Sequence, residues 1–145
     1  MTTYDDDLRA ALADQFRSGE LREIGPAEVV LTSLSDLYPV EGAKIDWDRV
    51  PGAVGRADEA GEVAGFIAFF DEIFHRFGLT GRVRYAGDSG TDIALEGTVE
   101  AMRRALPALL EVPQHHYFVS PDHTWALCLT MEGDMDFGYR PPAFG

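Results

Sequence analysis

Val63, Phe66, Ile67, Phe70, Ile73, Phe74 and Phe77 recur at i, i+3, i+4, i+7, i+10, i+11 and i+14, with Gly78 immediately after. That spacing predicts an amphipathic helix with a broad phenylalanine stripe, closed by the glycine. A stripe of this kind is a core face rather than a cofactor box, and it demands an equally broad apolar partner.

The partner is legible in the C-terminal segment. Between Gln114 and Tyr139 the sequence QHHYFVSPDHTWALCLTMEGDMDFGY alternates as strands do, interrupted by SPDH and MEG. Two hairpins follow from those turns. The first would pair Val119 with Thr124, Phe118 with Trp125, Tyr117 with Ala126 and His115 with Cys128. The second, with Gly133 in the left-handed region, would pair Thr130 with Asp134, Cys128 with Asp136 and Leu127 with Phe137. Phe118, Trp125, Leu127, Leu129, Met135 and Phe137 then share one face, which is core. His115, Tyr117, Ala126, Cys128, Thr130, Asp134 and Asp136 share the other, with His116 falling at the end of the apolar face. A slip of one residue would drive carboxylates into the core, so the pattern fixes the parity.

Elsewhere, Thr3 and the acids Asp5, Asp6 and Asp7 open a helix with Leu8, Ala11, Leu12 and Phe16 inward, ended by Gly19. Pro26 to Leu37 is read as a short helix, although its β-branched run also suits a strand. Tyr38 to Asp58 is read as a long connection with a short turn near Trp47 to Val50, and with Ile45 and Trp47 laid across the core as a cover. Arg82 to Tyr85 and Thr91 to Leu95 read as strands joined by AGDSG, a context that fails both the dinucleotide and the P-loop motifs. Thr98 caps a further helix with Val99, Met102, Leu106, Leu109 and Leu110 inward, in which Pro107 should produce a kink or a split. The tail RPPAFG is expected to leave the last strand and lie along the surface.

The expected fold is therefore α+β: one domain over residues 1–145, three main helices packed on one face of an antiparallel sheet of about five strands, ending in a three-stranded meander. A chain of 145 residues can bury roughly two-thirds of its unfolded surface in one core.

Charge narrows the function. With 25 acids against 12 bases the net charge is −13, which opposes nucleic acid and anionic membrane and favours a cationic partner. The acid-rich N-terminus does not read as a signal peptide and no apolar run suits a bilayer span, so a cytoplasmic location is expected. The single cysteine, Cys128, excludes an internal disulfide and most cysteine-based metal sites.

Three functional readings compete. His115, Cys128 and Asp136 would line up across three strands like the base, nucleophile and acid of a small hydrolase or transferase, but a mid-strand thiol near carboxylates lacks the positive field a thiolate needs. A metal site meets a steric objection, because the neighbouring His115 and His116 point to opposite faces; neither a metal nor a cofactor is expected. A small-molecule site under the Trp47 loop would need an apolar cavity of several hundred Å³. A protein-binding face of aromatic, histidine and carboxylate side chains on stiff strands fits the charge.

The stretch HHYFVSPDHTWALCLTMEGDMDFG resembles the tail of the contact-dependent inhibition immunity proteins of polymorphic toxin systems. The likeness is carried by His116, Tyr117, Asp122, Trp125, Cys128, Glu132, Gly133, Asp134, Phe137 and Gly138. The resemblance implies a non-enzymatic antitoxin, a monomer or weak dimer, that occludes a cognate and basic toxin domain, such as a nuclease. The residues expected at the contact are Asp88 and Asp92 at the first turn, His115 and Tyr117 on the strand, and Glu132, Asp134 and Asp136 at the last hairpin.

Overall fold

The structure, a computed structural model, describes residues 3–42, 44–57 and 63–142. Its elements in chain order are α1 (Thr3–Ala11), α2 (Ala13–Ser18), β1 (Leu21–Pro26), α3 (Ala27–Leu37), β2 (Val40–Glu41), β3 (Lys44–Ile45), a 3-10 turn (Trp47–Arg49), β4 (Val54–Ala57), α4 (Val63–Arg76), β5 (Arg82–Gly87), β6 (Ile93–Thr98), α5 (Val99–Leu109), β7 (His116–Val119), β8 (Trp125–Leu129) and β9 (Asp134–Tyr139). The class is α+β. Of the expected elements, Asp58 at the end of the long connection and Ala143 to Gly145 of the tail lie outside the described residues.

The main sheet has seven strands in the order β1-β6-β5-β7-β8-β9-β4, with every neighbouring pair antiparallel. The expectation of about five strands missed β1 and β4, the two edges. Neither carries a sustained alternation: β1 has a bulge between Glu23 and Gly25, and β4 is only the four residues VGRA. Such segments become strands because a neighbour offers its free ladder, which local sequence does not record.

The phenylalanine stripe lies on the expected face. Phe66 and Phe70 meet Phe118, Phe74 meets Trp125 edge-on at 5.3 Å between ring centres, and Phe77 packs on Phe137 at 4.7 Å. Beside α4 on this face, α5 contributes Met102, Ala105, Leu106 and Leu109, and α1 contributes Leu8. Thr98 caps α5, its hydroxyl accepting from Ala101 N at 3.1 Å. Pro107 neither splits nor ends α5, which runs on to Leu109.

The expectation that helices occupy one face alone is wrong. The opposite face carries Ala86, Ala94, Tyr117, Val119, Ala126 and Cys128, all buried, and a second layer covers it. α3 supplies Ala27, Val30 and Leu34 over β1, β6 and β5; the β2–β3 hairpin and the 3-10 turn supply Ile45, Trp47 and Val50 over β8 and β9. The cover is close. A Cβ on Gly138 would stand 2.8 Å from Val50 Cγ1 and 3.1 Å from Trp47 Cζ3, and the Tyr38 hydroxyl donates to the Gly138 carbonyl at 3.1 Å. The small side chains of this face make room for a layer that sits directly on the backbone.

The second hairpin has the expected register, with Cys128 opposite Asp136, Leu127 opposite Phe137 and Gly133 at φ 92°. The first is displaced by two residues, pairing Val119 with Ala126 and Tyr117 with Cys128. The Ser120 hydroxyl accounts for the shift: it accepts from Thr124 N at 2.8 Å and Trp125 N at 3.3 Å while its carbonyl accepts from His123 N at 2.9 Å, so the connection takes in Thr124 as well as Ser120 to His123. A displacement of two leaves every side chain on its expected face.

Candidate functional site

The second layer is built in two pieces, and depressions remain beside and between them. One is an open cleft of about 390 Å³ lined by Glu41, Lys44, Ile45, Asp46, Trp47, Asp48 and Asp136. The other is a pocket of about 270 Å³ between α3 and the β2–β3 hairpin, lined by Leu31, Leu34, Ser35, Val40, Gly42, Lys44, Ile45, Asp88 and Tyr117. Lys44 and Ile45 of β3 belong to both, so this strand is the wall between them.

The cleft is electrostatically unbalanced. Asp136 stands on β9 opposite Gly55, where any Cβ would collide with its carboxylate. Burial, followed by the charges of Asp134 and Asp48, pushes its carboxyl up to about 6. Lys44 binds Glu132 at 3.0 Å, which draws Glu132 down to about 2 and commits the lysine to the rim. Bases elsewhere are likewise engaged: Arg9 with Glu23, Arg22 and Arg84 with Glu96, Arg56 with Glu72, Arg103 with Asp71 and Arg104 with Glu20.

The residues expected at the contact do not form one surface. Asp134 and Glu132 are exposed beside the cleft, and Asp136 is half-buried within it. Asp92 is exposed at the β5–β6 turn, apart from both depressions; its backbone N–H donates to Asp5 Oδ1 at 3.0 Å. Asp88 lines the pocket, its Oδ1 accepting from His115 N at 3.0 Å and from the Ser89 hydroxyl at 3.2 Å. Tyr117 is 4% exposed, so its expected place on an open face is corrected: it is floor, covered by the second layer. His115 is mostly buried, and its Nδ1 accepts from Met131 N at 2.9 Å.

The row His115, Cys128, Asp136 is not assembled. Cys128 lies between Tyr117 and Asp136, and His115 is displaced along β7 by the register shift. Burial first, then Asp136, pushes the Cys128 thiol well above its ordinary range. A neutral, enclosed thiol is a packing group. Among the described residues no group of three or more His, Cys, Asp or Glu side chains is arranged to hold a metal ion.

His116, on the opposite face, belongs to a buried polar network. Its Nδ1 meets the Tyr85 hydroxyl at 2.7 Å, and Gln114 Nε2 donates to that hydroxyl at 3.0 Å. Gln114 Oε1 in turn accepts from Gly90 N at 2.8 Å and Thr91 N at 3.1 Å, tying the β5–β6 turn to the start of β7. Burial depresses the imidazole to about 4. This network is a fastening within the core and does not open on either depression.

Glu41, Lys44, Asp46 and Asp48 were not expected at a site, because the long connection sustains no period over its length. The alternation of Ile45 and Trp47 with Asp46 and Asp48 was the available signal, one apolar side toward the core and one acidic side away. Comparison of the chain with models of known families, with curated proteins and with solved structures finds no match. Among the described residues no helix is long and apolar enough to cross a membrane.

Proposed function

We propose that the protein is a binding protein that neutralises a basic toxin domain by occluding it, an immunity factor acting without turnover, as a monomer or weak dimer in the cytoplasm. The observation that carries this reading is the Asp136 cleft. Burial first, and then the charges of Asp134 and Asp48, lift the Asp136 carboxyl to about 6, so a cationic group delivered by a partner stabilises a carboxylate that the free protein holds at a cost. The surrounding acids, Glu41 and Asp46, extend the same negative field and speed the approach of a positively charged surface. The toxin identity of the partner comes from the resemblance of the C-terminal stretch to immunity proteins.

The rival, a small hydrolase or transferase, asks for an accessible thiolate beside an imidazole. Burial of Cys128 and the Met131 N–H on His115 Nδ1 both weigh against it.

The test begins at the neighbouring reading frame. A large secreted protein with a variable C-terminal domain there supplies the toxin domain for co-expression. The expected result is a complex that weakens steeply with salt, and by about tenfold for each of Asp48→Lys and Asp134→Lys, with cells protected only while the complex holds. A complex indifferent to both reversals, or a neighbour that forms none, would overturn the reading.

A further inference from the structure

We infer that the pocket between α3 and the β2–β3 hairpin seats one arginine side chain of the basic partner, anchoring it beside the acidic cleft. The inference rests on reading the protein as the receptor of such a partner.

The size suits one side chain. At about 270 Å³ the pocket falls just below the roughly 300–1,000 Å³ of sites for drug-sized ligands. Its walls suit an aliphatic stem: Leu31 and Leu34 come from α3, Val40 and Ile45 from the hairpin. The polar chemistry then selects the head group. Asp88 is held from behind by His115 N and Ser89 on Oδ1, while Oδ2 lies 4.0 Å from His115 Nε2, beyond hydrogen-bond reach, and retains its capacity to accept. Lys44 does not compensate Asp88, because Glu132 takes the ammonium at 3.0 Å. Tyr117 supplies an aromatic floor from the central strand β7. A carboxylate beside an aromatic ring fits a planar guanidinium better than an ammonium, since guanidinium both forks onto carboxylates and stacks on rings. Interface anchors have this character, an arginine inserted in a desolvated pocket beneath a polar rim.

The probe is N-acetyl-arginine methylamide, titrated into the full chain and followed by amide NMR shifts, with the neutral citrulline counterpart as control. Saturable shifts at Ser35, Lys44 and Asp88 are expected with arginine, and about tenfold weaker binding with citrulline. Asp88→Asn, which keeps the oxygen that accepts from His115 N, should erase the difference between the two probes. Val40→Trp, at an exposed position on the pocket mouth, should block both while leaving the spectrum of α4 and α5 unchanged. Equal binding of arginine and citrulline, or arginine shifts confined to Asp46 and Asp48 that survive Val40→Trp, would overturn the assignment. The titration needs no toxin, so the two ideas fail separately: a partner complex with no pocket binding sinks the pocket, and pocket binding with no partner complex sinks the receptor.

Discussion

Three side chains carry chemistry that their local sequence conceals. His116 is buried and depressed to about 4, against about 6.5 in an unfolded chain. Between those values the unfolded state binds a proton that the folded state refuses, so stability rises with pH through this window and is lost as pH falls, by about 3 kcal/mol in all. Asp136 acts in the opposite sense: raised to about 6, it keeps its proton in the fold when the unfolded chain has lost it, so its contribution declines from about pH 4 to pH 6. Asp136→Asn is therefore expected to be more stable than the parent at pH 7 by about 1–2 kcal/mol, discounted for partial exposure, and to lose that advantage below about pH 4. Urea unfolding across pH 3.5–7.5 reads both slopes, and parallel curves for parent and variant would refute the Asp136 argument. His123 holds a left-handed φ of 60°, and its Nε2 is buried with no partner among the described residues. His123→Asn places a residue tolerant of that backbone there and removes the orphaned atom, with a gain of about 1 kcal/mol expected in thermal or urea unfolding.

Among the elements, the most informative is the pair formed by β9 and the turn that rests on it. Gly138 is needed for close approach, not for backbone freedom. Gly138→Ala would force Val50 and Trp47 away and release the Tyr38 hydroxyl, at an expected cost of about 1–3 kcal/mol. Because Tyr38 and Trp47 flank the β2–β3 hairpin that walls the cleft and the pocket, the same variant should weaken the arginine probe, whereas a pure stability effect would leave probe affinity unaltered in the folded fraction. The edge strand β1 is held by charge: Glu96 of β6, 3% exposed, takes Arg22 of β1 at 2.7 Å and Arg84 of β5 at 2.8 Å. Burial pushes the Glu96 carboxyl up, but the hydrogen bonds from Arg84 and Arg22 outweigh that and hold it below the usual carboxylate range. This ladder joins three strands, and only the order β1-β6-β5 reveals it.

For the whole molecule, a net charge of −13 makes self-repulsion a general cost of folding, to which the charges of Asp134 and Asp48 beside Asp136 contribute. Raising ionic strength from about 0.01 to 0.15 M shortens the screening length from about 30 to 8 Å, so the melting temperature should rise, and rise less in Asp136→Asn. Equal increments in the two proteins would place the repulsion elsewhere. The sequence by itself determined the class, the phenylalanine helix, the cap at Thr98, the parity of the last three strands and the acidity, because each is a property of spacing within a short window or of composition. What the tertiary structure decided is everything that depends on who lies opposite: the edge strands β1 and β4, the two-residue shift set by Ser120, and the cover on the second face. That cover buries Tyr117 and Cys128, and it brings Asp46 and Asp48 to Asp136 and Lys44 to Glu132 from distant parts of the chain. Periodicity tells a residue which way to point, but contact between segments far apart in sequence is chosen by the packing of the whole chain, and the candidate site is made of such contacts.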